Sequence, residues 1–191
     1  MPDEGISAVI LAGGKGARMG GIDKGMLVLA GATLVERAIA KISPHVDEIL
    51  ISANRNLDDY ARLGFRVLSD EGCGPLCGML RGMQEAKHPL VLSLPCDTPL
   101  FPGDIAEKLA AALGGAEIAI AEAHGKTHQT FLLCRRTLAR DLSEYIARGG
   151  RRVREWQSRH HCVTVSFPDD SAFYNINTPE EFEAISSGGM R

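Results

Sequence analysis

Ile6 to Leu11 is a short apolar run that ends in a glycine-dense loop, so that residues 11–24 read LAGGKGARMGGIDK. A strand buried on both faces must be covered on both sides. No other feature constrains the fold as much, because the chain must then supply helices above and below a sheet. The same loop carries Lys15, Arg18 and Lys24. Glycines let a backbone approach a ligand closely and leave amide groups free to point at an anion. With three cations nearby, the expected ligand is a polyanion such as a nucleoside triphosphate.

The rest of the sequence supplies the helices. Leu34, Val35, Ala38, Ile39 and Ile42 recur at helical spacing within residues 32–42, and Pro44 stops that helix. Strands are expected at 48–52, 65–68, 89–94, 117–121, 130–134 and 162–167. Helices are expected at 56–63, about 77–86, from Asp104 through Leu113, and at 136–147, while 153–157 is ambiguous. Thr178-Pro179-Glu180-Glu181 starts a terminal helix, with threonine as N-cap and proline at the first helical position. Such alternation predicts an α/β fold, Rossmann-like and doubly wound, with a mostly parallel sheet and helices on both faces. At 191 residues the chain is expected to be one domain, residues 1–191.

In a sheet of this kind ligands sit beyond the carboxyl ends of the strands. The glycine loop, Ser52 to Asn54, Asp70 and Asp97 all follow proposed strands. The loop fails the dinucleotide pattern, since Gly14, Gly16 and Gly20 are spaced G-x-G-x-x-x-G. Nor is it a Walker A loop: the one G-K-T, Gly125-Lys126-Thr127, has Ile120 where the first glycine should stand. Its own logic is a phosphate cradle, with Arg18 and Lys24 neutralising the charge that grows on departing pyrophosphate. Asp97, between Pro95 and Pro99, is held in a stiff turn and suits Mg2+, which takes oxygen ligands and shares its shell with phosphates and water. Asp70 ends the preceding strand, so two acids are expected at adjacent strand ends opposite a cationic loop. An Asx turn or a capping aspartate would read the same way at either position.

Composition removes several classes. With 24 acidic against 21 basic residues and few aromatics, nucleic acid is a poor partner. No run approaches a bilayer span and the acidic N-terminus does not read as a secretory signal, so a soluble cytoplasmic protein is expected. Five cysteines, odd in number and without a C-x-x-C pair, are expected to be reduced thiols. His124 and His128 lack the H-E-x-x-H pattern of catalytic zinc. Arg148 to Arg154 packs four arginines around Gly149-Gly150, a solvated charge run or a site for a second anionic substrate.

Taken together, these motifs resemble the molybdenum cofactor guanylyltransferase (MobA) family of nucleotidyltransferases. The carrying residues are Leu11-Ala12-Gly13-Gly14, Arg18-Met19-Gly20-Gly21, Asp23-Lys24-Gly25, Gly74-Pro75-Leu76, Pro95-Cys96-Asp97-Thr98-Pro99 and Asn175-Ile176-Asn177-Thr178-Pro179-Glu180-Glu181. The resemblance implies transfer of GMP from GTP to the phosphate of molybdopterin, with Mg2+ as cofactor. By matching position, Leu11, Ala12 and Gly13 would bind the nucleotide through backbone, Lys24 its phosphates, Asp70 the nucleotide and Asp97 the metal. Ser52 stands where the family often has asparagine, Cys77 where alanine is usual and Met26 where leucine is. The NTPEE ending and the arginines near Arg151 would lie toward the acceptor, in the C-terminal half. A companion GTP-binding protein and apo-molybdoenzymes are the partners implied. The rival readings are a relative using CTP, one with a sugar phosphate as acceptor, and a non-catalytic nucleotide-binding scaffold.

Overall fold

The computed structural model describes residues 4–14, 22–70 and 74–187, so the expectation for Arg18 lies outside the described residues. In chain order the first half contains β1 (Ile6–Leu11), a 3-10 turn (Lys24–Met26), β2 (Val28–Leu29), β3 (Ala32–Thr33), α1 (Leu34–Ile42), β4 (Glu48–Ser52), α2 (Leu57–Ala61), β5 (Arg66–Leu68) and α3 (Pro75–Glu85). The second half contains β6 (Leu90–Pro95), α4 (Ile105–Leu113), β7 (Ile118–Ala123), β8 (Lys126–Arg135), α5 (Ala139–Ala147), α6 (Val153–Gln157), β9 (Cys162–Phe167) and α7 (Pro179–Ser186).

Seven strands form one sheet in the order β5-β4-β1-β6-β8-β7-β9. All pairings are parallel except the two made by β8, which runs against β6 and β7. The expected mostly parallel, doubly wound sheet is therefore the observed one. Chain order reverses between β1 and β6, which is the switch point where such sheets open a crevice.

Alternation along the strands feeds two cores. Ala8 and Ile10 of β1 face the layer of α1 and α4, with Val35, Ile42, Ile105 and Leu109. Val9 faces the layer of α3, α5 and α6, with Met79, Met83, Leu142 and Trp156. Each of the Val, Leu, Ile and Met side chains among these, fully withdrawn from water, contributes about 1.5–3 kcal/mol. The second layer fits closely because α3 carries small residues where it crosses the sheet. A Cβ on Gly82 would lie 2.3 Å from a methyl of Val9, and one on Gly78 would lie 2.6 Å from the Ser52 hydroxyl.

Several boundaries differ from expectation. Ala32 and Thr33 are extended, and Thr33 caps α1 through a capping box with Glu36. β8 begins at Lys126 rather than 130, because its polar first half pairs back onto β7. The ambiguous 153–157 is helical, with Trp156 and Gln157 buried. Cys77 is disulfide-bonded, which corrects the expectation of reduced thiols at that position, whereas Cys96, Cys134 and Cys162 are free. Among the described residues no helix is long and apolar enough to cross a membrane.

Candidate active site

The carboxyl ends of β1, β4, β5 and β6 surround a cavity of about 390 Å³. Leu11, Ala12, Gly13, Lys24, Ser52, Asp70 and Asp97 all line it, so seven of the eight expected site residues meet in one place. A larger hollow at the opposite ends of the strands holds none of them, and its His45 and Arg135 are paired with Glu107 and Glu4.

The two acids do not sit side by side. Asp70 follows β5 and Asp97 follows β6, with β4 and β1 between them, which corrects the expectation of adjacent strand ends. Asp70 is held at the far wall. Its carboxylate accepts hydrogen bonds from the Ser52 hydroxyl at 3.1 Å and the Asn54 amide at 2.9 Å. Asn54 also accepts from the Asp70 backbone N–H at 2.9 Å, closing a turn around the carboxylate. Ser52 thus orients Asp70, and Asn54, two residues on, supplies a carboxamide to the same wall of the cavity. The N–H of Ala12 is committed to the Ser52 carbonyl at 2.8 Å, as is the carbonyl of Leu11 to the Cys96 N–H at 3.1 Å. These bonds fix the start of the loop rather than leaving an Ala12 amide for a ligand.

At the near wall the Lys24 ammonium donates to Asp97 Oδ2 at 3.0 Å and to Asn177 Oδ1 at 2.9 Å. Both side chains of the ion pair are 18% exposed, so the pair lies in the cavity wall rather than in bulk solvent. Asn177 belongs to a segment stitched to the loop after β6. The Ile176 N–H donates to the Asp97 carbonyl at 2.8 Å, and the Thr98 hydroxyl to Asn175 Oδ1 at 2.6 Å. The segment is in turn fixed by the capping box of α7, in which Glu181 accepts from the Asn177 and Thr178 N–H groups. Those amide bonds and the Tyr174 hydroxyl hold the Glu181 carboxyl below the usual carboxylate range. Asn177 is the partner that strand-end reasoning passes over, although the N-x-N-T-P-E-E motif marks its segment.

Beneath this pair Cys96 is buried, and burial pushes its thiol well above the ordinary value, reinforced by the charges of Asp97 and Asp23. A thiol kept neutral in this way is a packing residue, not a nucleophile. The donor set suits Mg2+ better than a softer metal. Asp97 offers a single carboxylate in a cavity open to phosphate and water, and among the described residues no group of three His, Cys, Asp or Glu converges on one point.

A second hollow of about 350 Å³ adjoins the first and shares Thr130 and Asn177 with it. Lys126, Thr127, His128, Gln129, Tyr174 and Asn175, with the acids Asp170 and Glu181, complete its polar lining. His128 stacks on Phe173 with ring centres 4.3 Å apart. Burial, with the Lys126 charge, moves its imidazole below the ordinary value, so the ring is neutral near pH 7. The arginines at 148–154 line neither cavity. Arg148 and Arg152 pair with Glu144 and Glu155, and Arg151 donates to the carbonyls of Ile146 and Gly150.

Residues 8–163 match the model of the MobA-like NTP transferase domain. The chain is 45% identical to a molybdenum cofactor guanylyltransferase of Burkholderia ambifaria, with 97% of each chain covered. It is 40% identical to the enzyme of that name from Ralstonia nicotianae, covering 97% of this chain and 98% of that one. Among solved structures, the fold is similar to molybdopterin-guanine dinucleotide biosynthesis protein A of Archaeoglobus fulgidus. The TM-score there is 0.79 at 20% identity, over 96% of this chain and 100% of that one. A TM-score of 0.79 also relates it to 4-diphosphocytidyl-2C-methyl-D-erythritol synthase of Anaerococcus prevotii, at 16% identity over 98% and 99% of the two chains. The structural likenesses speak to the fold; the sequence match from end to end, with the motif residues gathered at the switch point, decides the family. This chain belongs to the MobA-like nucleotidyltransferases, among the molybdenum cofactor guanylyltransferases.

Proposed function

We propose that the protein transfers GMP from GTP to the terminal phosphate of molybdopterin, releasing pyrophosphate and forming molybdopterin guanine dinucleotide. The observation that carries this reading is the position of Lys24. Its ammonium sits in the wall of the nucleotide cavity and is bonded to Asn177, which the neighbouring hollow shares. Two polyanions meeting there would share one cation at their junction.

An oxygen of the pterin phosphate attacks the α-phosphorus of GTP. The new P–O bond forms as the bond to the β-phosphate oxygen breaks, and pyrophosphate leaves with that electron pair. The attacking monoester is already largely ionised at neutral pH, so no strong general base is required. The protein's task is to hold two anions together and to screen their repulsion. Gly13, Ser52 and Asp70 position the nucleotide against the backbone of Leu11 and Ala12, whose bonds to Cys96 and Ser52 fix the start of the loop, while Lys24 and Arg18 neutralise the leaving pyrophosphate. Asp97 would hold Mg2+, which when bound polarises a phosphoryl oxygen as a Lewis acid. The lining of the second hollow receives the pterin. We place the reaction in the cytoplasm, with a companion GTP-binding protein and apo-molybdoenzymes as partners.

The test is an assay of pyrophosphate release with molybdopterin and each of GTP, CTP, ATP and UTP. Release with GTP together with recovery of the guanine dinucleotide is the expected result. Release with CTP alone would move the protein to the cytidylyl branch, and nucleotide binding without turnover would make it a scaffold.

A further inference from the structure

Lys24 stands on a single 3-10 turn, Lys24–Met26, which follows directly on the glycine loop. A turn of three residues has little stability of its own, yet it presents an ammonium within 3.0 Å of two fixed partners. What holds it is Asp23. This carboxylate is only 8% exposed and accepts three hydrogen bonds. Oδ1 accepts from the Gly25 N–H at 3.1 Å and the Tyr60 hydroxyl at 2.7 Å, and Oδ2 accepts from the Asn56 amide at 3.0 Å.

Both outside donors belong to rigid structure. Tyr60 is fully buried in the core on the α1 side of the sheet. Burial raises its phenol pKa, so the hydroxyl keeps its proton and remains a donor. Asn56 adopts left-handed backbone at φ 50°, a conformation asparagine tolerates, and that turn aims its side chain at Asp23. Gly25 completes the fit, since a Cβ there would lie 2.2 Å from the Tyr60 hydroxyl. A negative charge beside a polyanion site is costly unless its placement is needed. It also explains why both neighbours of Lys24 are what they are: an acceptor before it and no side chain after it.

We infer that Asp23, Tyr60 and Asn56 form a clamp that positions Lys24, so that the phosphate-binding cation is ordered by the fold before any nucleotide arrives. Given the guanylyl-transfer reading above, these three are positioning residues; they touch neither cavity. Ordering a lysine in advance removes part of the entropy cost of binding, and with it part of the barrier.

The clamp is tested without reference to turnover by the rate at which acetic anhydride acetylates Lys24, read by mass spectrometry of the full chain. Lys41 serves as the fold control, because its ammonium is held by the Pro99 and Phe101 carbonyls rather than by any residue of the clamp. In Tyr60→Phe the Lys24 rate is expected to rise about tenfold, as loss of one hydrogen bond to a buried charge implies. The Lys41 rate should not change. A rise below about threefold at Lys24, with Lys41 unchanged, overturns the clamp. If Tyr60→Phe speeds both lysines, Asn56→Gly decides by the same criterion, since glycine keeps the left-handed backbone and removes only the amide. Pyrophosphate release by the unaltered protein is measured alongside. Its absence would refute guanylyl transfer and leave the labelling result standing, so the two failures are distinguishable.

Discussion

Lys24 and Asp97 make one ion pair but are expected to fail differently. Asp97→Ala removes the carboxylate paired with Lys24 in the near wall, and turnover should fall by about 10³-fold or more, the scale of losing a principal charge-stabilising group. GMP transfer at the unaltered rate by that variant, at saturating magnesium, would remove Asp97 from the metal's coordination. Lys24→Ala should lower both kcat and kcat/KM for GTP, by about 10²–10³-fold, because it loses contact with phosphates that carry more charge as pyrophosphate departs. A rise in KM with kcat intact would show uniform binding instead. Both residues were readable in the sequence, since a lysine flanked by Asp23 and Gly25 and an aspartate between two prolines are unusual local patterns. The carboxamide of Asn177 on Lys24 was not, because the contact joins positions 153 residues apart and leaves no local trace. Asp70 shows the same limit in reverse: its place after a strand was legible, but its distance from Asp97 depends on strand order, which chain order does not contain.

Helices and buried strands were legible wherever one period dominated, as in α1 with Leu34, Val35, Ala38 and Ile42 on one face. They were misread where an element changes character along its length. β8 is polar from Lys126 to Gln129 and apolar from Phe131 to Cys134, so only its second half looked like a strand. The close seat of α3 on the sheet was equally hidden, since a glycine inside a helix reads as a weakness. In place it is a requirement. Gly82→Ala gains helix propensity but would set a Cβ 2.3, 2.7 and 3.0 Å from Val9, whose branched side chain has little room to turn. Overpacking of this kind costs about 1–3 kcal/mol and should outweigh the gain, lowering the melting temperature by roughly 2–10 °C. Calorimetry on that single variant gives the answer, and an unchanged or higher melting temperature would mean that α3 can lift off β1 at no cost.

Across the whole molecule, the last described segment returns to the sheet at two places: Asn175 to Asn177 bind the loop after β6, and Phe173 packs on His128 of β8. That packing makes a pH signature. The His128 imidazole titrates below its ordinary value in the fold, mainly through burial, so the folded state binds fewer protons than the unfolded chain. Its contribution to stability is present above about pH 6.5 and is lost as the pH falls from there toward the folded value. Urea unfolding at pH 7.5 and pH 5.5 should show a steeper loss for the unaltered protein than for His128→Gln, and parallel losses would exclude the ring as the source. The overall architecture followed from alternating apolar and helical runs, whereas the embrace of the N-terminal loop by residues near the other end did not. That embrace bears on how the protein is made. Lys24 leaves the ribosome well before Asn177 is added, and at about 5–20 residues per second the 153 intervening positions take roughly 8–30 s. For that interval a growing polypeptide holds Lys24 but lacks the asparagine on which it rests, so the ordered placing of this cation waits on residue 177.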